Sequence, residues 1–148
     1  MIVAYIAHPI SGDVRGNIAR INSIIADLAR SAPNVLPFAP YLTALQVLDD
    51  FKPEERALGQ SWNRELIERG TVDVLWLYGD RISPGMWAEI HCFAEQFPVW
   101  EDVAKYIVPQ TEGTERDFAE YAREFTARQV LVMKAQVEQA VAERDIPF

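Results

Sequence analysis

Short apolar runs that alternate with amphipathic helices are the feature that most constrains the fold of this chain. Ile2–Ala7 is a continuous apolar run, too short for a helix, and predicts a buried strand of a parallel sheet. Apolar residues then recur at helical spacing over residues 15–31, and Val35–Phe38 predicts a second strand. This alternation predicts a single Rossmann- or flavodoxin-like α/β domain, whose parallel four- to five-stranded sheet has helices on both faces.

The remaining elements follow the same alternation. We predict a loop with a short helix over residues 40–51, a helix over 53–70, a strand over 72–78, a helix from 84, a weak strand at 98–100 and a long helix over 115–143. The core of the domain is expected at residues 1–110, and a C-terminal helical extension at 111–148.

Composition narrows the classes of partner. The 148 residues are 49% apolar and 24% charged, which is typical of a globular protein, and the net charge of -8 disfavours binding to a nucleic-acid polymer. The lone Cys92 excludes an internal disulfide and a cysteine-cluster zinc site, and no metal site is expected. The sequence shows no signal peptide and no membrane span, so we expect a cytoplasmic protein without a membrane partner.

Two loops are expected at the carboxyl edge of the sheet, where ligands of open parallel sheets bind. The second loop carries Ser83 and Gly85 at the start of a helix, and such a helix start binds anions. Glu89 lies at the edge of the buried stripe of this helix, which suits a nucleophile or general base. An ordinary surface glutamate is the alternative, and on local sequence alone it is favoured.

Tyr5 lies in the first predicted strand among aliphatic residues. A buried phenol needs a hydrogen-bond partner, and a carboxylate across the crevice would provide one. The alternative is a tyrosine at the strand end that reaches water.

Taken together, these segments resemble the nucleoside 2-deoxyribosyltransferase superfamily, including its 2'-deoxynucleoside 5'-phosphate N-hydrolase branch. The similarity covers roughly residues 1–100. It rests on the opening Tyr5-Ile6-Ala7-His8-Pro9-Ile10-Ser11-Gly12, on Asp73, and on Ser83-Pro84-Gly85-Met86-Trp87-Ala88-Glu89. Phage and bacterial proteins of unassigned function share the same opening and are the most similar members.

The resemblance implies an N-glycosidase that cleaves the bond between base and sugar and retains configuration. Glu89 would be the nucleophile, Tyr5 would hold it in position, and Glu65 would be the general acid, at a position where the family more often has Asp. The reaction needs no metal and no organic cofactor. The alternatives are a deoxyribosyltransferase that exchanges bases, and a non-catalytic nucleotide-binding or structural protein on the same fold.

The resemblance also implies a small nucleoside or nucleotide as substrate, and a homo-oligomer, dimer or higher. Ser83 is typical of the branch that acts on 5'-monophosphates, because an Asp at this position would repel phosphate. The substrate-binding first loop is expected at Pro9, Ser11 and Gly12, where the hydrolase branch has a Ser and an Arg in place of Pro9 and Ser11.

The positive charge for a phosphate then has two candidate sources, Arg15 and Arg81, and Asp80 lies beside the second. The alternatives are solvated arginines and, for Asp80, an ordinary turn residue.

Overall fold

The computed structural model describes residues 1–144, and residues 145–148 of the predicted extension lie outside the described part. Within it the strands are β1 (Ile2–Ala7), β2 (Val35–Phe38), β3 (Val74–Leu77) and β4 (Ile107–Pro109). The helices are α1 (Val14–Ser31), α2 (Tyr41–Val47), α3 (Pro53–Glu68), α4 (Pro84–Ala94), α5 (Trp100–Tyr106) and α6 (Glu112–Arg144). In this part of the chain, no helix has both the length and the apolarity needed to cross a membrane.

The strands form one parallel sheet in the order β2-β1-β3-β4. The chain therefore leaves β1 toward one side of the sheet and returns from β2 to β3 on the other side, which is the doubly wound topology. This confirms the predicted α/β fold with a Rossmann-like parallel sheet and a long C-terminal helix. The two edge strands contain Pro37 and Pro109, which edge strands tolerate because proline lacks the N–H of the sheet ladder.

The predicted strand at residues 98–100 is wrong. Val99 is extended, but only as the residue that precedes α5, and Glu101 and Asp102 in the first turn of α5 favour a helix. The fourth strand is instead Ile107–Pro109, which pairs with β3. Its three residues are too few to produce a recognisable pattern in the sequence.

Asp73 fixes how β1 and β3 lie against each other. Its carboxylate accepts a hydrogen bond from the Val3 amide at 2.8 Å, and its own amide donates to the Val3 carbonyl at 2.9 Å. The register then pairs Tyr5 with Leu75 and Ala7 with Leu77, so both strands end at the same edge of the sheet. The loops that follow them meet at that edge.

Thr111, which precedes α6, and the first turns of α6 hold the end of β3 and the loop that follows it. Thr111 Oγ1 donates to the Gly79 carbonyl at 2.6 Å, Thr114 Oγ1 donates to the Leu77 carbonyl at 3.0 Å, and Asp117 accepts from the Ile82 amide at 2.9 Å. Further along, Phe118 and Phe125 pack against Trp100. The C-terminal helix therefore supports the loop that leads into α4. Beyond Phe125 it exposes several apolar side chains, namely Leu131, Val132, Val137 and Val141.

Gly113, the second residue of α6, tests this packing. A Cβ atom at Gly113 would overlap the carbonyl oxygen of Asp80, which is backbone and cannot move aside cheaply. We expect Gly113→Ala to lower the free energy of unfolding by about 1–3 kcal/mol, measured by urea denaturation. Gly85→Ala is the matched control, since Gly85 is the second residue of α4 and a Cβ there meets nothing closer than Ser83 Oγ at 4.0 Å. Equal stability of the two variants would contradict this account of α6.

Candidate functional site

A hydrogen bond between Tyr5 and Glu89 lies at the centre of the site. The Tyr5 hydroxyl donates to Glu89 Oε1 at 2.7 Å, and it joins β1 to α4 across 84 positions of sequence. Tyr5 is fully buried, and burial, followed by the neighbouring Glu89 carboxylate, raises the pKa of its phenol. Tyr5 therefore stays protonated and acts as the donor. This is the partner that the sequence predicts for Tyr5, and the alternative of a tyrosine facing water is wrong.

Glu89 is a buried carboxyl group that lacks part of its hydrogen bonding. Its Oε2 atom is buried and has no partner among the described residues. Burial raises the pKa of Glu89 to about 8, and the hydrogen bond from Tyr5 opposes this rise only in part. At neutral pH the group is therefore largely protonated. A buried carboxyl without a full set of partners is expected where a ligand supplies the missing contact.

Glu89 lines a cavity of about 450 Å³ at the carboxyl edge of the sheet. Its walls come from α2, α3, the first turns of α4 and the loop after β1. A cavity of this size accommodates a small ligand, and its position beside β1 and β3 is the binding position of doubly wound sheets.

The start of α4 forms one wall of this cavity. Ser83 Oγ caps the helix by accepting a hydrogen bond from the Met86 amide at 3.3 Å, so its own proton can still donate to a ligand. Ser83 and Gly85 both line the cavity, as does Glu89 in the second turn. Ser83 and Gly85 thus lie at the start of a helix, as predicted, and the positive end of the α4 dipole opens on the cavity.

The first loop reaches the cavity through only some of the predicted residues. Ser11 lines it, whereas Pro9 is buried against Gly79, where a Cβ atom would lie 2.5 Å from Pro9 Cδ. Gly12 has a positive φ of 97°, which glycine adopts without strain, and it is exposed outside the lining. Arg15 is also exposed and lies outside the lining, so the structure does not bring Pro9, Gly12 and Arg15 to the cavity.

Asp80 and Arg81 do not line the cavity either. Arg81 Nη1 donates to Asp80 Oδ1 at 3.0 Å, and both side chains are exposed. The backbone carbonyl of Asp80 packs against Gly113 of α6. The structure therefore agrees with the alternatives, in which Arg81 is a solvated arginine and Asp80 an ordinary turn residue.

The prediction that places Glu65 in the site needs correction. Glu65 is exposed on α3, accepts a hydrogen bond from Arg69 at 2.6 Å, and is absent from the cavity wall. Asn63 and Arg64 occupy the cavity face of α3 instead. Residues two apart on a helix point about 200° apart, so Glu65 and Asn63 cannot share one face.

Sequence reasoning missed the residues of α3 that do line the cavity. Asn63 is 8% exposed, and its Oδ1 atom is the second buried polar atom without a partner among the described residues. Arg56 and Arg64 are two arginines that line the cavity, and each is near a carboxylate, Asp50 and Glu68 respectively. The buried residues of α3 are Gly59, Asn63 and Ile67, and their spacing of four is the pattern by which the sequence could have indicated that Asn63 is buried. Two of these three are not apolar, so a hydropathy pattern does not reveal them.

Metal-binding residues are not grouped anywhere in the part of the chain that the structure describes: no three His, Cys, Asp or Glu side chains converge there. His8, which lines the cavity, places its Nδ1 atom 2.7 Å from the Pro9 carbonyl, and burial lowers the pKa of its imidazole.

Fold and site together define a doubly wound α/β protein with a small-molecule cavity and a buried Tyr–Glu pair at the carboxyl edge of its sheet. The chain belongs to the family described as Domain of unknown function (DUF7768), whose model matches residues 2–99. That match includes Tyr5, Asn63, Ser83 and Glu89 and ends before α5. Searches of the curated proteins and of the solved structures gave no match.

The raised pKa of Glu89 predicts a dependence of stability on pH. The folded protein keeps Glu89 protonated up to about pH 8, while the unfolded chain ionises it near 4.5, so this group lowers stability as pH rises between those values. Glu89→Gln cannot ionise and is therefore expected to be more stable than the wild type by about 1–3 kcal/mol at pH 8, and by little at pH 4.5. Denaturation at both pH values measures the difference.

Glu95→Gln is the matched control, because Glu95 is exposed at the end of the same helix. A Glu89→Gln variant that is less stable than the wild type at pH 8 would show that the carboxylate is ionised and satisfied in the folded protein.

Proposed function

We propose that this chain is an N-glycosidase of nucleoside or deoxynucleoside 5'-monophosphates. The observation that carries the proposal is the buried Glu89 carboxyl in the cavity wall, whose Oε1 is held by Tyr5 and whose Oε2 has no hydrogen-bond partner among the described residues. The resemblance of the flanking segments to nucleoside deoxyribosyltransferases supports the same reaction.

In the proposed reaction, ionised Glu89 attacks the anomeric carbon of the sugar through Oε2. The bond between this carbon and the base nitrogen breaks, and its electron pair leaves with the base, giving a glycosyl ester of Glu89. Water then hydrolyses the ester and restores the carboxylate. The hydrogen bond from Tyr5 to Oε1 fixes the orientation of the carboxylate and stabilises its charged form, because it lowers the pKa that burial raises.

Protonation of the departing base is the step for which the cavity wall offers no second carboxyl group that is free of another contact. Retaining glycosidases use a second carboxyl group about 5 Å from the first, and Glu65 lies outside the cavity. Asp50 and Glu55 are the other carboxylates in the cavity wall, but each already contacts its own neighbour, Arg56 and the Asp49 amide respectively. The proposal therefore assigns this proton to water, and it predicts slow turnover.

The same observation favours a second candidate, a nucleotide-binding protein without turnover. Such a protein needs the cavity, the helix start at Ser83 and the buried polar atoms, but not a general acid. The two candidates differ only in whether base is released from a bound ligand.

The phosphate is assigned to the start of α4. The amides of the first turn, the Ser83 hydroxyl and the helix dipole all favour an anion there. Arg56 and Arg64 add positive charge to the cavity wall, in place of Arg15 and Arg81.

Release of free base tests the reaction. Nucleosides and their 5'-monophosphates are incubated with the protein, and base is measured by chromatography. We expect release from at least one monophosphate, and a fall of at least about 1,000-fold for Glu89→Ala, because loss of a nucleophile removes the covalent step. Glu95→Ala is the control and should keep wild-type activity.

The possible outcomes separate the candidates. Release that accelerates when a second free base is added indicates base transfer. Binding of monophosphates by the folded wild type without any release supports the binding protein and rejects the glycosidase.

Ser83→Asp tests the phosphate position. Aspartate is as good a helix cap as serine, so the fold of α4 should persist, but its charge would repel a 5'-phosphate. We expect the affinity for monophosphates to fall about 10- to 100-fold, while the affinity for nucleosides changes less than about threefold. Ser83→Asn, an uncharged cap, is the control. Equal losses for both ligand classes would place the phosphate elsewhere.

A further inference from the structure

Two buried polar atoms lack partners in the described part of the chain, Glu89 Oε2 and Asn63 Oδ1, and both residues line the same cavity. A buried polar atom without a hydrogen bond destabilises the folded protein, so it is expected where a ligand completes it. The proposed reaction uses Glu89 and gives no role to Asn63.

We propose that Asn63 recognises the base of the substrate through a hydrogen-bonded pair with the base edge. This inference rests on the proposed function, because it takes the base to be bound in the cavity beside Glu89. A carboxamide has an acceptor oxygen and a donor nitrogen side by side, and it matches a base edge that has a donor next to an acceptor.

The direction of the displacement supports a contact with the base rather than with the sugar. A nucleophile and its leaving group lie on opposite sides of the carbon under attack. With Glu89 on α4, the base therefore points toward a wall of the cavity that α4 does not form.

Most polar side chains on those walls are exposed, among them Arg56, Gln60 and Arg64 of α3. From α2 and its C-cap the cavity receives Ala44, Leu45 and Leu48, which can pack against the flat faces of a base. The helix also supplies Tyr41, whose hydroxyl donates to the Ile6 carbonyl. Asn63 is the buried polar side chain that α3 adds, and its Oδ1 atom has no hydrogen-bond partner among the described residues. It is therefore the buried group on this wall that can distinguish one base edge from another.

The matched variants are Asn63→Leu, which removes both polar groups at similar volume, and Asn63→Asp, which replaces the donor by a second acceptor. Both are made in the Glu89→Ala background, so that binding is measured without turnover. The probes are the four deoxynucleoside 5'-monophosphates and, as a ligand without a base, deoxyribose 5-phosphate. Calorimetry gives the dissociation constants.

We expect Asn63→Leu to weaken the preferred nucleotide about 10- to 100-fold and to leave deoxyribose 5-phosphate within about threefold. Asn63→Asp should change the order of preference toward guanine, whose edge has two adjacent donors. The melting temperature of Asn63→Leu without ligand should be equal to or higher than that of its parent, because the unpartnered acceptor is gone. A purely structural asparagine would give a lower melting temperature.

Two results would overturn the proposal. One is an equal loss of affinity for deoxyribose 5-phosphate and for the nucleotides, which would assign Asn63 to the sugar or phosphate. The other is an unchanged order of bases in both variants. The failure of the proposed function is a separate result, since it is the absence of base release by the wild type, or the absence of binding of every probe by the parent protein.

Discussion

The pairing of β1 with β3 is the constraint on which the rest of the structure depends. Asp73 holds it by bonding to both backbone groups of Val3, so the register that brings Tyr5 beside Leu75 is set at the opposite end of the strands from the cavity. The connection after β1 runs toward β2 on one side, and the connection after β3 runs toward β4 on the other side. A crevice therefore opens between the ends of β1 and β3, because no connecting helix covers that point. The position of the cavity is therefore a consequence of topology, and the side chains around it decide its chemistry.

Two of those side chains lower the stability of the folded protein, because each keeps a buried polar atom without a hydrogen-bond partner among the described residues. Glu89 of α4 and Asn63 of α3 line the cavity, and each has a buried oxygen without a hydrogen-bond partner among the described residues. An apolar pair of similar size would stabilise the empty protein, since each unpartnered buried acceptor costs about 1–3 kcal/mol. Tyr5 limits this cost for Glu89 by satisfying one of its two oxygens. The interactions that position the carboxyl group thus leave the other oxygen available to a ligand.

The sequence predicts the α4 side of the cavity better than the α3 side, for a physical reason. A strand, a serine cap and an N-terminal proline specify where α4 begins, so Ser83 and Glu89 are placed by counting along one helix. The buried face of α3 consists of Gly59, Asn63 and Ile67, of which only the last is apolar, so its helical phase does not show in a hydropathy pattern. Assigning the general acid to Glu65 by its position in the sequence therefore selects a residue on the exposed face of α3.

The strand Ile107–Pro109 is missed because three residues give no periodicity.

The neutral state of Glu89 has a consequence for how the proposed substrate binds. Ser83, the N-cap of α4, and Glu89 are six residues apart, which corresponds to a rise of about 9 Å, so the proposed phosphate position and the carboxyl group lie on the same wall of one cavity. An ionised Glu89 would repel the phosphate across this distance, whereas a protonated one does not. A pKa of about 8 therefore favours binding of the anion at neutral pH. Attack on the sugar needs the carboxylate, and positive charge that develops at the anomeric carbon stabilises it. Under the proposed function, binding and chemistry thus require opposite protonation states of one group, and the loss of its proton becomes a step of the reaction.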